Sequence, residues 1–198
     1  MSVVITVIAT LAVGILYASV FEWTLHKYLM HRPLGNFRYP FEAHTLTHHR
    51  LFKADHSYHL QEGVERRKIR MAWWNGSVLV LMVTTPFAFV ALLLRGIIGL
   101  YEAGAVLATG FSVAACYYLA YEYLHWCMHL PRSRRIERSR IFRRLNGHHV
   151  LHHRYMGMNF NVVLPFADAL FGTLLLRARK PFAQVRGPAV PDVQPQAP

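Results

Sequence analysis

The chain has 198 residues, of which 54% are hydrophobic and only 16% are charged, a composition too apolar for an ordinary soluble domain of this size. Its formal net charge is +12 at pH 7. Such a charge suits either a nucleic acid or the cytoplasmic surface of a membrane. Two cysteines are too few for a zinc ribbon or a disulfide framework, so those two classes of protein are excluded.

Three long apolar stretches predict membrane-spanning helices. Residues 3–25 carry a single charge, Glu22, and about 23 residues of helix extend roughly 35 Å, enough to cross a bilayer core. Residues 72–94 are uncharged, and residues 99–126 form a third apolar stretch after a short turn. We therefore predict an all-α integral membrane bundle with three spans and a cytoplasmic, helical, histidine-rich cap.

The end of the chain is harder to place. Residues 160–176 are apolar but contain Pro165 and Asp168, so we expect an interfacial or re-entrant helix, with a fourth span as the alternative. The stretch that follows is rich in proline and has no apolar period. This pattern predicts a disordered tail over residues 181–198 and a single membrane domain over residues 1–180.

The basic residues lie on one side of the predicted topology. Residues 27–71 contain nine Lys and Arg, residue 95 is one more, and twelve follow residue 126. Three spans place the first loop and the C-terminal region on the same side, and the positive-inside bias makes that side cytoplasmic, at the inner membrane in a bacterium. Because topology accounts for the charge, we do not expect a nucleic-acid partner.

Histidine is the compositional outlier, with 13 residues that all lie on the predicted cytoplasmic side or at the span ends that face it. Four groups stand out in chain order: HKYLMH (26–31), HTLTHH (44–49), HWCMH (125–129) and HHVLHH (148–153). Neutral imidazole is the commonest metal ligand in proteins. The convergence of these four histidine groups on one side therefore predicts a metal site at the cytoplasmic face of the membrane.

The spacing of the histidines suggests how they share ions. Histidines four residues apart lie on one helix face and can chelate one ion. Four pairs have this spacing: His44 and His48, His125 and His129, His148 and His152, and His149 and His153. His26 and His31 are five apart, so we expect the helix to end between them. Ten or more histidines exceed the ligands of one tetrahedral zinc and suit two ions, which could be iron, zinc or copper.

The four groups, together with the later NFNVVLPFADALFGTLL, resemble the histidine boxes and closing segment of the fatty acid hydroxylase/sterol desaturase superfamily. The resemblance covers residues 22–176 and implies an integral-membrane, non-haem di-iron enzyme that uses O₂ to hydroxylate or desaturate lipids. The second box departs from the pattern, with three residues between His44 and His48 where many hydroxylases have two. The implied ligands are His26, His31, His44, His48, His49, His125, His129, His149, His152 and His153.

Four further side chains are candidates for supporting the ligands. His148 is an extra imidazole before the last box. Glu22 and Glu122 precede box histidines by four and three residues, and each would accept an N–H from a ligand imidazole, with a solvated interfacial charge as the alternative. Asp168 would either support a ligand or cap a helix.

The resemblance implies a lipid C–H hydroxylase that uses two iron ions, O₂ and two electrons, with zinc able to replace iron in a purified sample. The sequence has no Cys-rich electron-transfer motif and no dinucleotide fingerprint, so a separate donor of the ferredoxin or cytochrome b5 type is expected. A carotenoid hydroxylase and a lipid desaturase share the same metal chemistry. A non-catalytic metal-handling membrane protein is the alternative of another class, although a transporter would place polar ligands within its spans.

Overall fold

The computed structural model describes residues 2–178, which are predominantly helical and contain no β-strand. The predicted tail, residues 181–198, lies outside the described residues. The longer α-helices are α1 (Val3–Leu25), α2 (Asn75–Ile98), α3 (Leu100–His129), α4 (Arg140–Arg154) and α5 (Phe166–Leu170). Two π-helices, π1 (His26–Met30) and π2 (Glu42–His48), carry the first two boxes; α-helical turns at Tyr39–Phe41 and His49–Leu51 flank π2, and 3₁₀ turns occupy His56–Tyr58, Arg66–Ile69 and Ile136–Arg138.

Three helices are long and apolar enough to cross a membrane: α1 with its π1 extension, α2 and α3. The predicted fold class is therefore confirmed for the described residues, as an all-α chain with three candidate spans. α3 continues past the predicted end at residue 126 to His129, so the third box is part of the spanning helix itself. The cytoplasmic position of the cap remains a prediction.

The last two spans form a helical hairpin, in keeping with the short turn expected between them. Gly99 joins them with a φ of 93°, a conformation that residues with a Cβ rarely adopt. The two helices pack closely because Gly110 leaves room for the side chain of Phe87, which also meets the ring of Tyr17 on α1 edge to face at 5.9 Å. This contact holds all three candidate spans together.

The cap packs on the end of α3 through a buried apolar cluster. Cys127 and Met128 of α3 contact Phe142 of α4 and Tyr58 of the loop after the second box. Burial of such side chains is worth about 1.5–3 kcal/mol each. This packing fixes the direction in which α4 presents the fourth box.

The closing segment is not a fourth span: α5, with five residues, is its only α-helix. The remainder folds back along α1, where the Ser19 hydroxyl donates to the Leu164 carbonyl at 2.7 Å and the Trp23 indole N–H donates to the Thr173 hydroxyl at 2.8 Å. The predicted interfacial or re-entrant helix is thus reduced to one short helix, because Pro165 interrupts the segment and its buried polar groups bond to α1.

Replacing Gly110 with Ala should destabilise the hairpin. A Cβ at this position would lie 2.6 Å from Phe87 Cβ, an atom that no side-chain rotation can move away. Overpacking of this kind costs about 1–3 kcal/mol, which we expect to appear as a lower Tm of the detergent-solubilised protein.

The matched control is Gly104→Ala on the same helix, where a Cβ meets nothing within 4 Å. The control should leave Tm unchanged or slightly raised, because Ala favours helix over Gly by about 1 kcal/mol. Equal Tm values for the two variants would contradict the packing described above.

Candidate metal centre

Both π-helices bring together histidines that are five residues apart. The His31 amide donates to the His26 carbonyl at 3.1 Å, and the His49 amide donates to the His44 carbonyl. This i→i+5 bonding, which is frequent at functional sites, places the two members of each pair on one face. The rings of His26 and His31 stack with centroids 5.1 Å apart. The first helix therefore continues into the first box as a π-helix and ends at Met30, between the two histidines as expected, with His31 as its C-terminal cap.

The ten histidines named from the sequence as ligands form two groups, and within each group one ring nitrogen per residue lies within 4.8 Å of all the others. Nine of the ten are buried and His31 is half-buried. Cluster A consists of His26, His31, His44, His49 and His152. Cluster B consists of His48, His125, His129, His149 and His153.

The partition of the second box corrects the pairing expected from spacing. His44 belongs to cluster A with His49, and His48 belongs to cluster B, because the box is π-helical rather than α-helical. The expected pairs on α3 and at the end of α4 do share cluster B. His148 lies in neither cluster, so the expected pair of His148 with His152 is also wrong.

The two clusters are immediate neighbours. The rings of His49 in cluster A and His153 in cluster B lie 4.3 Å apart between centroids, and those of His44 and His48 lie 5.3 Å apart. α4 contributes to both clusters, since His152 faces cluster A. Two ions bound here would occupy adjoining pockets of one centre.

Backbone carbonyls orient two rings of cluster A. The Nδ1 of His26 lies 2.5 Å from the Phe160 carbonyl oxygen, and the Nδ1 of His152 lies 2.8 Å from that of Met158. A carbonyl oxygen has only lone pairs, so each Nδ1 must carry the hydrogen. The Nε2 of both rings is then a lone-pair donor that points into the cluster, the arrangement that supporting groups impose on metal-binding histidines.

Thr45 imposes the same state on His31. Its hydroxyl donates to the Met30 carbonyl at 2.7 Å and therefore accepts from His31 Nδ1, which lies 3.1 Å away. The Nε2 atoms of His31 and His152 are 3.1 Å apart. Since both carry lone pairs and neither carries a hydrogen, this contact is repulsive unless a cation lies between them.

Cluster B is oriented in the same way. The Nδ1 of His129 lies 2.7 Å from the Tyr58 carbonyl oxygen, and the Nδ1 of His153 lies 2.5 Å from that of Phe52. The Nε2 atoms of both histidines lie 3.1 Å from His149 Nε2. A single hydrogen on His149 can satisfy only one of these two contacts.

Cluster B also contains buried nitrogens without a partner among the described residues: Nε2 of His48, Nε2 of His125 and Nδ1 of His149. Leaving a buried polar group unpaired costs about 1–3 kcal/mol. Two of the three are the atoms through which histidine most often binds a metal. The donor set therefore fits a pair of divalent ions of the iron, zinc or copper class.

Burial keeps the ligands in the neutral state that metal binding requires. Desolvation, with smaller contributions from neighbouring imidazoles, lowers the pKa of His31 to about 2. Desolvation likewise lowers the pKa values of His44, His49, His152 and His153 well below the usual value of 6.5. These imidazoles are therefore neutral at physiological pH and ready to bind.

Asp168 supports the site through the closing segment. Its carboxylate accepts from His148 Nε2 at 3.1 Å and from the backbone amides of Phe160 at 2.9 Å and Asn161 at 2.8 Å. Since the carbonyl of Phe160 orients His26, Asp168 fixes the backbone that holds a cluster A ring. It lies within α5 and binds loop amides, so the alternative of a helix cap is not what the structure has.

Glu22 contacts no ligand imidazole, contrary to expectation. Its carboxylate accepts from the Tyr117 hydroxyl at 2.7 Å, from Asn161 Nδ2 at 3.0 Å and from the Val162 amide at 2.6 Å. The Nδ1 of His26 is already satisfied by a carbonyl, so no hydrogen remains for the carboxylate. Glu22 instead ties α1 to the closing segment and to α3.

Glu122 also contacts a different group from the ligand imidazole expected from the sequence. Its carboxylate lies 3.5 Å from Arg70 Nε, whose guanidinium in turn lies over the ring of Trp126 at 4.6 Å. This pairing directs Glu122 away from His125, the imidazole it was expected to support. Spacing on a helix could not reveal the partner, because Arg70 comes from a loop distant in sequence.

An apolar cavity of about 170 Å³ lies between the three candidate spans and extends to His26 of cluster A. Side chains of α1, α2 and α3 line it, including Leu25, Val78 and Tyr121. The cavity opens a path from the apolar layer of the bundle to the histidines.

The fold is similar to that of a solved structure described as full-length scs7p, in which only the hydroxylase domain is visible. The two chains are 22% identical, with a TM-score of 0.52, and the match covers 88% of this chain but 58% of the other. Identity at this level shows a shared fold. No protein-family model matches the chain, and no curated protein matches it.

Removing one histidine from either cluster should reduce the bound metal. We expect His152→Ala to lose the ion of cluster A and His129→Ala to lose that of cluster B, so that each variant retains about one ion per chain instead of about two. Inductively coupled plasma mass spectrometry of the purified proteins measures this ratio. His56→Ala is the matched control, because His56 is exposed and lies in neither cluster. Full metal content in both cluster variants would show that the clusters are not the binding sites.

The metal-free protein should lose stability as the pH falls below about 6.5. The buried histidines outside the spans have folded-state pKa values below that of the unfolded chain, so the unfolded chain takes up protons first. Each proton taken up destabilises the fold by about 1.4 kcal/mol per pH unit. Tm of the chelator-treated protein should therefore be constant above this pH and fall below it. A Tm independent of pH between about 5 and 8 would contradict the burial of neutral imidazoles.

Proposed function

We propose that the chain is a membrane-bound oxygenase that hydroxylates an unactivated C–H bond of a lipid, using two iron ions, O₂ and two electrons. The observation that carries the proposal is the 3.1 Å contact between two Nε2 lone pairs, of His31 and His152, in a buried centre that adjoins an apolar cavity. The fold shared with a hydroxylase domain supports it. A binding site for ions alone has no need of an apolar path to its ligands.

Two iron ions bound to the clusters would supply O₂ activation and removal of hydrogen from the C–H bond. The chain's own residues keep the ligand imidazoles neutral and orient their rings. The carbonyls of Phe160 and Met158 in cluster A, and of Tyr58 and Phe52 in cluster B, each fix one ring with Nε2 inward. Because these acceptors belong to the backbone, they cannot change their protonation state, and the ligand geometry is set before an ion binds.

The cavity supplies the second requirement, which is to present one carbon of an apolar molecule. Its wall is almost entirely apolar and includes His26 of cluster A together with Leu25, Leu29 and Met30. A lipid chain that enters between the spans therefore reaches cluster A without crossing water. Exclusion of water also protects a reactive centre from side reactions.

A separate protein would deliver the electrons, in keeping with a donor of the ferredoxin or cytochrome b5 type. The start of α4 and the loop before it carry exposed arginines, and the same helix continues into both clusters. These arginines are Arg132, Arg135, Arg138, Arg140, Arg143 and Arg144. A basic surface of this kind favours an acidic partner and speeds its association at low salt. The positive-inside bias supports a cytoplasmic position for this face.

The proposal predicts incorporation of oxygen into a lipid. Membranes from cells that express the chain, supplied with ¹⁸O₂ and a reductant, should contain a hydroxylated lipid bearing ¹⁸O, which mass spectrometry detects. His129→Ala and His152→Ala should abolish the product, and His56→Ala should retain it. A new double bond without label would identify a desaturase, and a labelled carotenoid would identify a carotenoid hydroxylase. Bound iron without any lipid product or O₂ consumption would overturn the proposal in favour of metal handling.

A further inference from the structure

A basic groove lies beside the apolar cavity. Arg67, Lys68 and Arg70 line it together with Trp73, and it is open to solvent with a volume of about 930 Å³. Trp73 is 91% exposed, and tryptophan is enriched at the headgroup level of membranes. The groove therefore combines cations with an interfacial anchor at the end of the bundle that carries the histidines.

The groove and the cavity share a wall. Met71 and Tyr118 line both of them, so the basic groove and the apolar cavity adjoin at these two side chains. Tyr118 fits there because Gly76 has no side chain; a Cβ on Gly76 would lie 2.5 Å from the ring. Tyr118 thus belongs to both walls, and Glu122, one turn further along the same helix, lines the groove.

The cations of the groove are not all neutralised. The Lys68 ammonium has no carboxylate within 4 Å among residues 2–178. Arg67 pairs with Glu65 but is 78% exposed, so an incoming anion can reach its guanidinium. Arg70 is held by Glu122. The groove thus retains positive charge that its own acidic residues do not cancel.

We propose that groove and cavity together form the binding site for a lipid with one anionic head, a carboxylate or a phosphate, and an apolar chain. Lys68 and Arg67 bind the head, and the chain passes Met71 and Tyr118 into the cavity towards His26. The inference deepens the proposed function, because the lipid in the cavity would be the substrate. It adds the class of headgroup and the residues that select it.

Competition binding tests the proposal directly. The zinc-loaded protein in phosphatidylcholine nanodiscs binds tritiated palmitic acid, and unlabelled palmitic acid, hexadecyl phosphate, hexadecanol or inorganic phosphate competes. We expect the two anionic lipids to compete about tenfold more strongly than hexadecanol, and inorganic phosphate not to displace the label. Equal competition by hexadecanol would show that the protein does not recognise the charge of the headgroup. Displacement by inorganic phosphate would show an anion-binding site that does not bind the apolar chain.

Two pairs of variants separate the halves of the site. The double variant R67Q/K68Q should weaken binding of the anionic lipids about tenfold without changing that of hexadecanol. R143Q/R144Q removes equal charge elsewhere and should change neither. Val78→Trp fills the cavity and should weaken binding of all three lipids, whereas Val90→Trp, on the same helix, with similar exposure and outside the cavity wall, should not. Equal effects within either pair would overturn the assignment.

Binding is measured here without turnover, so the two proposals fail separately. A chain that binds anionic lipids as expected but incorporates no oxygen would refute the oxygenase and leave the lipid site in place. A chain that hydroxylates a lipid but does not distinguish palmitic acid from hexadecanol would refute the anionic-lipid site and leave the oxygenase proposal in place.

Discussion

The structure depends on imidazole lone pairs that face one another across a buried centre. In cluster A, Thr45 and the carbonyl of Met158 place the hydrogens of His31 and His152 on Nδ1, which leaves two Nε2 lone pairs 3.1 Å apart. Such a contact is unfavourable without a cation, and desolvation opposes its relief by protonation. A cation bound between these two nitrogens would remove the repulsion.

Further polar contacts hold the segments around the histidine clusters in place. The closing segment supplies the carbonyl that orients His26, and Asp168 in turn holds that segment by accepting two of its amides. Glu22 binds the same segment to α1 and, through Tyr117, to α3. Buried carboxylates that are fully hydrogen-bonded specify one arrangement of the elements around them. The candidate spans are thus locked to the cap by polar contacts rather than by apolar packing alone.

Much of this was predictable from the sequence, and the exceptions have physical reasons. The three spans follow from apolar length, and the histidines that meet are those of the four boxes, which lie at span ends or in segments on the same side of the predicted topology. The pairing within the second box was not predictable from α-helical spacing, because a π-helix groups His44 with His49 and sends His48 to the other cluster. The five-residue spacing in both of the first two boxes was the available signal. The partners of Glu22 and Glu122 come from distant segments, which periodicity along one helix cannot reveal.

The central claim is that each set of five histidines binds one ion. Anomalous diffraction from crystals of the metal-loaded protein tests it most directly. The account predicts two anomalous peaks per chain, one within about 2.0–2.2 Å of inward-facing Nε2 atoms in each cluster. A single peak, or peaks bound outside the ten histidines, would contradict it.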